Sequence, residues 1–362
     1  MARAGKKQFL KDLSPGWEGE ADGLVFSRSL ARTNRGGSYL NLELGDRTGR
    51  LAAKVWDRAE DLAEILAEGA AVRFRGHLES YRGAPQLVIR EARPLDSAEL
   101  DWRDFLKAAA RPEAEMKDDL LRLAEAIEDA DFRRLTQAAL AAPEVAGRFF
   151  LLPAAKQLHH AHLHGLLEHS LSVGRLAVLA AAHYGGRLNA GLLVAGALLH
   201  DLGKVWEFSP PPRVDYTTLG RLRGHAVLGA GFLRTLAGEL AGFPGEKMDL
   251  LEHLLLSHHG EPEFGAPVRP QLLEALVLHH LDNLDAKLEA VDAFLDEGTD
   301  GEGWSPYHRL FGGHFRRTPA LDPGARPKRP QAAPAVEEAP QRRDAAAPEP
   351  APPDDDRAGR LF

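Results

Sequence analysis

A histidine and an aspartate stand side by side at the end of an apolar stretch. Residues 192–199 contain only apolar side chains and glycine, and His200 and Asp201 follow at once. Adjacent residues of a helix lie about 100° apart around its axis, so an imidazole and a carboxylate at these positions can converge on one ion beside the helix. One dipeptide is a weak signal, and it gains weight only from metal-ligating residues elsewhere in the chain.

Such residues occur on other apolar helical stretches of the sequence: His169, His225, His258, His259 and Asp282. Two divalent ions about 4 Å apart can activate a water and stabilise both the attacking and the leaving oxygen of a phosphodiester. They need a carboxylate that bridges sets of neutral imidazoles, and Asp201 is the natural bridge. We therefore expect a hydrolytic metal centre. Whether it holds one ion or two is left open.

The composition restricts the chemistry of this centre. The chain has 362 residues and no cysteine, which excludes disulfides, thiolate zinc ligands, iron–sulfur clusters and cysteine nucleophiles. The remaining imidazole and carboxylate ligands suit Mn²⁺, Fe²⁺, Co²⁺ or Ni²⁺ better than a structural Zn²⁺.

The charge and the apolar content indicate a soluble globular protein with two ordinary domains. The sequence begins without the apolar stretch of a secretory signal, and residues 192–199 are too few to span a bilayer. We therefore expect a cytoplasmic protein without membrane association. The formal net charge of −8 argues against indiscriminate nucleic-acid binding, although it is compatible with a local basic surface.

Hydrophobic patterning divides the chain into four parts. Residues 1–97 alternate between polar and apolar, interrupted by turns and a helical piece at 59–67, which predicts a small OB-type β-barrel. Residues 98–152 have helical spacing and predict a helical connector. Residues 153–317 are predominantly helical and carry the candidate ligands, whereas the Pro- and Ala-rich residues 318–362 predict a disordered tail. The predicted fold class is multidomain, a β-barrel followed by an all-α bundle.

Alternation along the predicted strands assigns aromatic and basic side chains to the outside of the barrel, because successive side chains face opposite ways. The outward residues include Tyr39, Lys54, Trp56, Arg73 and Arg75. Bases stack on aromatic rings while cations follow phosphates, so this composition suits a single-stranded nucleic acid. In the alternative interpretation, the aromatic residues cover a domain interface and the arginines are solvated edge residues.

Lys204 is a candidate catalytic residue beside Asp201. It lies four residues after His200, so on a continuing helix it would project from the same side, where it could neutralise the phosphate or assist the leaving group. The alternative is a surface lysine that the helix dipole favours near a C-terminus.

Two further positions leave alternatives open. One of His258 and His259 could bind metal while the other donates a hydrogen bond to the substrate. Asp285, three residues beyond Asp282, is either a group that orients a ligand or a helical salt-bridge partner.

The order of the candidate ligands resembles the HD phosphohydrolase superfamily. Longer segments resemble the YhaM family of bacterial 3′→5′ exoribonucleases, namely residues 159–160, 165–170, 195–204, 220–225, 256–260 and 278–287. That family joins an N-terminal OB domain to a C-terminal HD domain. The likeness covers about residues 6–317.

The resemblance implies a ligand set and a cofactor. By similarity to HD enzymes with two metals, one ion would be held by His169, His200 and Asp282, and the other by His225, His258 and His259. The family suggests manganese and a homo-oligomer. It also implies weaker candidates for contact with the substrate, which are His159, His160, Tyr216 and Thr217.

The function that these observations favour is a metal-dependent 3′→5′ exonuclease that converts single-stranded RNA to nucleoside monophosphates. A preference for RNA over single-stranded DNA is left open, since stacking tolerates both. One alternative is a phosphohydrolase of free nucleotides or nucleotide second messengers, because fold and ligands do not separate these substrates. A second is a non-catalytic single-strand-binding factor, against which the complete ligand set argues.

Overall fold

The chain begins with a closed β-barrel. The computed structural model describes residues 8–33, 36–96, 100–156 and 160–318. The strands and the short inserted helix are β1 (Glu18–Arg32), β2 (Ser38–Asp46), β3 (Gly49–Val55), α1 (Ala59–Ala63), β4 (Ala71–Tyr81) and β5 (Ala84–Pro94). The strands close in the order β1-β2-β3-β5-β4, and neighbours are antiparallel except for the parallel pair β3 and β5. The predicted OB-type barrel is confirmed.

The interior of the barrel follows the alternation of the sequence. Leu40 and Leu44 of β2, Val55 of β3 and Phe74 of β4 are buried, because residues two apart on a strand share one face. Leu51 of β3, which the same alternation points inward, is only half-buried at the edge of this core.

The second part of the structure is helical. Its helices are α2 (Glu113–Glu125), α3 (Ala130–Ala141), α4 (Pro143–Phe149), α5 (Gly165–Tyr184), α6 (Ala190–Leu199), α7 (Lys204–Glu207), α8 (Thr218–Glu239), α9 (Gly245–Ser257) and α10 (Leu273–Glu297). The predicted all-α bundle is confirmed.

Helix α6 lies at the centre of the bundle. Residues 192–199 are buried on every side of it, as expected of a helix without a polar face. Asn189 begins the helix by accepting a hydrogen bond from the backbone amide of Leu192 at 3.0 Å. Helices α2 to α4, from the predicted connector, pack into the same hydrophobic core as α5 to α10.

A small apolar cluster joins the barrel to the helices. Leu24 and Ala71 of the barrel pack with Trp102 and Phe105 from the segment before α2, and with Leu163 from the segment before α5. The barrel is thus seated on the loop that leads into the first ligand-bearing helix. Burial of a large apolar side chain contributes about 1.5–3 kcal/mol, so this contact stabilises the arrangement of the two parts.

Among the described residues, no helix is both long enough and apolar enough to cross a membrane. The predicted tail at 318–362 lies, beyond its first residue, outside the described residues. The four boundaries drawn from the sequence stay predictions.

Candidate metal centre

The end of helix α6 places two site residues at the centre of the bundle. The helix ends at Leu199, and His200 forms its C-cap with its backbone amide still bonded to Gly196 at 2.8 Å. His200 and Asp201 are 0% and 2% exposed. An apolar helix enclosed by its neighbours therefore delivers an imidazole and a carboxylate to a site shielded from water.

The first ligand set consists of His169 on α5, His200, and Asp282 on α10. The Nε2 atoms of His169 and His200 lie 3.2 Å apart. Asp282 Oδ1 lies 3.1 Å from His169 Nε2 and 3.8 Å from His200 Nε2. The three residues predicted to share one ion therefore present their ligand atoms to a common point.

The second ligand set consists of His225 on α8 with His258 and His259 at the end of α9. The Nε2 atoms of His225 and His258 lie 3.3 Å apart. The rings of His258 and His259 are in edge contact, with centroids 4.2 Å apart. All three side chains offer a nitrogen to one point, so the geometry groups both adjacent histidines with His225.

Asp201 lies between the two sets and turns one oxygen toward each. Its Oδ2 is 3.6 Å from His169 Nε2 and 3.4 Å from His200 Nε2. Its Oδ1 is 3.4 Å from His225 Nε2 and 3.9 Å from His258 Nε2. A carboxylate in this position can bridge two cations, as the sequence predicts.

Each of the five histidines of the two ligand sets forms a hydrogen bond through Nδ1, the ring nitrogen that faces away from the other ligands. Three of them donate from Nδ1 to backbone carbonyls: His200 to Ala197 at 2.9 Å, His258 to Leu255 at 2.6 Å and His259 to Phe264 at 2.8 Å. His169 and His225 donate from Nδ1 to the carboxylates of Asp285 and Glu207, at 2.8 and 3.1 Å. These acceptors fix the tautomer in which Nε2 carries a lone pair.

This donor set fits a divalent metal. Inward lone pairs of neighbouring Nε2 atoms only 3.2–3.3 Å apart repel one another unless a cation or a proton lies between them. With imidazole nitrogens and carboxylate oxygens as the ligands, the cluster suits the divalent transition-metal ions that the composition indicates.

The electrostatics of the centre agree with this interpretation. Burial lowers the pKa of His258 well below its ordinary value, with neighbouring histidines adding to the effect, so its ring stays neutral. Burial would raise the pKa of Asp201, but the charge of Lys204 and the hydrogen bond with His200 hold it well below the usual range, so the carboxylate stays ionised. Neutral imidazoles around an ionised carboxylate are the state that a cation requires.

The pKa of His169 shifts in the opposite direction from that of His258. Although burial lowers its pKa, hydrogen bonds with Asp282 and Asp285 raise it to about 10. A positive charge is therefore favoured at this point between the two carboxylates. A bound metal ion would supply that charge in place of the proton.

Lys204 is buried and contacts the bridging carboxylate. Its Nζ donates to Asp201 Oδ2 at 2.7 Å, and the residue is 7% exposed. This excludes the alternative of a surface lysine. Because α6 ends at Leu199, Lys204 begins the new helix α7, and it reaches Asp201 across a turn instead of sharing a continuous helix face with His200.

Glu207, which orients His225, is not among the residues predicted from the sequence. The buried carboxylate accepts hydrogen bonds from the backbone amide and from Nδ1 of His225. Gly224 has φ +69° and interrupts α8 just before this histidine, a conformation that glycine adopts without strain. The sign of this role in the sequence was that Glu207 is the single acidic residue of segment 204–208, which the structure buries.

Asp285 orients a ligand and does not merely form a helical salt bridge. Its Oδ2 accepts from His169 Nδ1 at 2.8 Å and lies 3.1 Å from His160 Nε2. The hydroxyl of Ser172 donates to Oδ1. Burial would raise the pKa of Asp285, but its hydrogen bonds with His160 and His169 hold it far below the usual range.

The weaker candidates have different surroundings. His160 is buried in the network around Asp285, whereas His159 lies outside the described residues. Tyr216 is 42% exposed. The Thr217 hydroxyl donates to the carbonyl of Trp206 at 2.8 Å and accepts from the amide of Gly220 at 2.9 Å, so it caps α8. Contact of these residues with a substrate stays a prediction.

Three of the predicted nucleic-acid-binding residues form one cluster on β2, β3 and the residue that follows β3. The rings of Tyr39 and Trp56 stack with centroids 5.0 Å apart and planes at 28°. The Nζ of Lys54 lies 4.6 Å from the Tyr39 ring centre and donates to Asn41. Trp56 is 45% exposed, so the cluster presents an aromatic face and a cation to solvent.

The two arginines lie elsewhere on the barrel. Arg73 and Arg75 are on β4, which neighbours β1 and β5 but not β2 or β3. Arg73 forms a two-point pair with Asp22, with distances of 2.6 and 3.0 Å, and Arg75 lies opposite Glu20 in the register. The single aromatic and basic face drawn from the sequence is therefore divided, and the arginines adjoin acidic residues of β1.

Comparison with protein families agrees with both parts of the fold. Residues 22–95 match the family described as OB-fold nucleic acid binding domain, and residues 166–287 match the HD domain. The second range contains every residue of the two ligand sets. The first contains the Tyr39, Lys54 and Trp56 cluster.

Curated relatives match this chain over most of its length. The 3′-5′ exoribonuclease YhaM of Geobacillus sp. (strain WCH70) is 36% identical over 280 residues, which are 77% of this chain and 85% of the relative. The proteins of that name from Bacillus subtilis (strain 168) and Listeria innocua serovar 6a are each 36% identical over 77% of this chain and 88% of their own length. The chain therefore belongs to the YhaM family of 3′-5′ exoribonucleases.

Proposed function

We propose that this protein is a manganese-dependent exoribonuclease that shortens single-stranded RNA from its 3′ end and releases nucleoside monophosphates. The observation that carries the proposal is the position of Asp201, with one oxygen toward each of two three-residue ligand sets. The activity named for the relatives supports it. Metal dependence accords with the HD domain.

The residues divide into two ion-holding sets and a shared bridge. His169, His200 and Asp282 would hold one Mn²⁺, and His225, His258 and His259 a second. When bound, the ions supply Lewis-acid stabilisation of the phosphate and activation of water. Lys204 keeps Asp201 ionised through its 2.7 Å contact, and its ammonium group lies where it can also compensate charge on a phosphate.

Burial of the centre favours a chain end as the substrate. His169, His200, Asp201 and His258 are at most 2% exposed, whereas His259 and Asp282 are partly exposed. Access is therefore expected from the side of His259 and Asp282. A terminal nucleotide fits such a recessed site more readily than the middle of a strand.

The barrel offers a binding surface for longer substrates. The stacked rings of Tyr39 and Trp56 offer a surface for a base, and Lys54 beside them offers a cation for a phosphate. A phosphohydrolase of free nucleotides does not need this cluster. The cluster does not discriminate RNA from DNA, so the preference for RNA rests on the relatives. Homo-oligomerisation and a cytoplasmic location remain predictions.

The test compares substrates of different length and type. Manganese-loaded protein is incubated with a 5′-labelled 20-nucleotide RNA, its DNA counterpart, a dinucleotide and free nucleotides. We expect shortening of the RNA from its 3′ end, and we expect Tyr39→Ala/Trp56→Ala to slow this reaction far more than cleavage of the dinucleotide. An intact RNA beside hydrolysed free nucleotides would replace the proposal with a nucleotide phosphohydrolase. Tight RNA binding without any hydrolysis would indicate a non-catalytic binding factor.

A further inference from the structure

A second group of metal-ligating side chains lies beside the metal centre and has no part in the proposed reaction. It consists of His160 and His162 in the segment before α5 and Glu168 on α5. Glu168 Oε2 lies 3.2 Å from His160 Nδ1 and 3.0 Å from His162 Nε2. The three side chains are 2%, 11% and 8% exposed, so the group is built into the fold.

The donor atoms of this group point to one place. Ligand atoms bonded to one ion at about 2.0–2.2 Å lie roughly 3–3.5 Å apart, and both measured contacts to Glu168 Oε2 fall in that range. All three ligand atoms lie within 4.8 Å of one another. Two imidazoles and one carboxylate are the protein ligands of many metal sites that keep a position open for water.

Asp285 fixes the orientation of His160 in the same way that it fixes His169. Its Oδ2 lies 3.1 Å from His160 Nε2 and 2.8 Å from His169 Nδ1. Donation from Nε2 to Asp285 leaves His160 Nδ1 as an acceptor that faces another acceptor, the Glu168 carboxylate. A cation between them resolves this conflict, and a carboxylate behind a ligating histidine is the usual outer partner of such sites.

We propose that His160, His162 and Glu168 bind an additional divalent transition-metal ion, separate from the two ligand sets that meet at Asp201. The shared carboxylate of Asp285 links this ion to the metal centre through His169. His162 also lines a cavity of about 440 Å³ between the barrel and the helical domain, so one of the three ligand residues adjoins a space from which an ion could approach. The competing explanation is a doubly protonated His160 that forms an ion pair with both carboxylates.

The first test counts ions in solution. Untagged full-length protein is equilibrated with Co²⁺, and cobalt per chain is measured by mass spectrometry for the wild type and for His162→Ala. We expect His162→Ala to hold one ion fewer than the wild type, and the matched variant His183→Ala, which removes an exposed histidine at the end of α5, to hold the full number. An unchanged count in His162→Ala would overturn the additional site.

A second measurement does not depend on the folding of a variant, and it separates this inference from the proposed function. Anomalous diffraction at the cobalt edge from wild-type crystals should show a peak flanked by His160, His162 and Glu168 besides those at Asp201. Peaks at Asp201 alone would overturn the additional site and leave the proposed exonuclease intact.

Discussion

Glu207 holds His225 at two points. The backbone amide of His225 lies 3.1 Å from Glu207 Oε1, and its ring Nδ1 lies 3.1 Å from Oε2. Burial would raise the pKa of Glu207, but the hydrogen bond from His225 keeps it below the ordinary value, so the carboxylate is ionised. One side chain thus fixes both the backbone and the tautomer of a ligand whose helix is interrupted just before it.

Glu207→Gln should therefore weaken metal binding although it does not touch the ion. The amide accepts more weakly and carries no charge, and loss of such an outer partner typically costs 10–100-fold in metal affinity or activity. Isothermal titration with Mn²⁺ measures the affinity. The control is Glu239→Gln at the exposed end of α8, the helix that carries His225. Equal affinities for the two variants would contradict the role given to Glu207.

Asp201 and Glu207 differ in whether their roles in the site can be predicted from the sequence. Asp201 follows a histidine at the end of an apolar stretch, so residue type and spacing suffice to predict it. Glu207 acquires its role only because α8 returns past α7 and brings His225 within reach. That return depends on tertiary packing, which local patterns do not encode.

The barrel shows the same division between local pattern and tertiary pairing. Alternation predicts that Trp56 and Arg73 both face outward, because side-chain direction on a strand is a local property. It does not give the strand order or the register, which place Arg73 against Asp22 of β1, 51 residues earlier. The arginine was therefore predicted to be outside but not to be paired.

Trp56→Ala should weaken binding of single-stranded RNA. Stacking of a base on an aromatic side chain contributes about 1–3 kcal/mol, which corresponds to a roughly 5- to 150-fold rise in Kd. Fluorescence anisotropy with a labelled RNA, in the inactive Asp201→Ala background, measures this change. Trp304→Ala, which removes a tryptophan of similar exposure outside the barrel, should leave Kd unchanged. If both variants bind as tightly as the parent, the cluster does not contact RNA.

Gly203→Ala should damage both stability and activity. A Cβ at this position would lie 1.9 Å from the carbonyl oxygen of His225 and 2.7 Å from the amide of Gly229, so α8 would have to move. Overpacking of this kind costs about 1–3 kcal/mol or more. Because His225 is displaced with its helix, exonuclease activity should fall as well.

Gly147→Ala is the matched control for that substitution. A Cβ there meets nothing within 4 Å, and the residue lies in α4, where alanine favours the helix by roughly 0.5–1 kcal/mol. Urea unfolding should thus shift in opposite directions for the two variants. A Gly203→Ala protein with wild-type stability and activity would show that the turn after Asp201 is not tightly packed against α8.

Asp119 should contribute stability that depends on pH. It accepts hydrogen bonds from Arg111 at 2.7 Å and from Arg175 of α5 at 2.5 Å. Burial raises its pKa, but its arginine partners lower it below the ordinary value. A lowered folded-state pKa means that the contribution is present above the unfolded value of about 3.9 and is lost as the pH falls through the folded value.

Asp119→Asn should consequently lower Tm at pH 7, and its difference from the wild type should shrink below about pH 4. Thermal unfolding by circular dichroism across this range measures the effect. The neighbouring exposed Asp118→Asn should follow the wild type at every pH. A difference between Asp119→Asn and the wild type that is constant with pH would show that the arginine contacts do not depend on the charge of Asp119.

The bridging position of Asp201 is tested most directly with 5′-labelled single-stranded RNA and Mn²⁺. The wild type should produce a ladder that shortens from the 3′ end, and Asp118→Ala should do the same. Asp201→Ala should fold but leave the RNA intact, because neither ligand set retains its shared carboxylate. A ladder of wild-type rate from Asp201→Ala would contradict the assignment of the site.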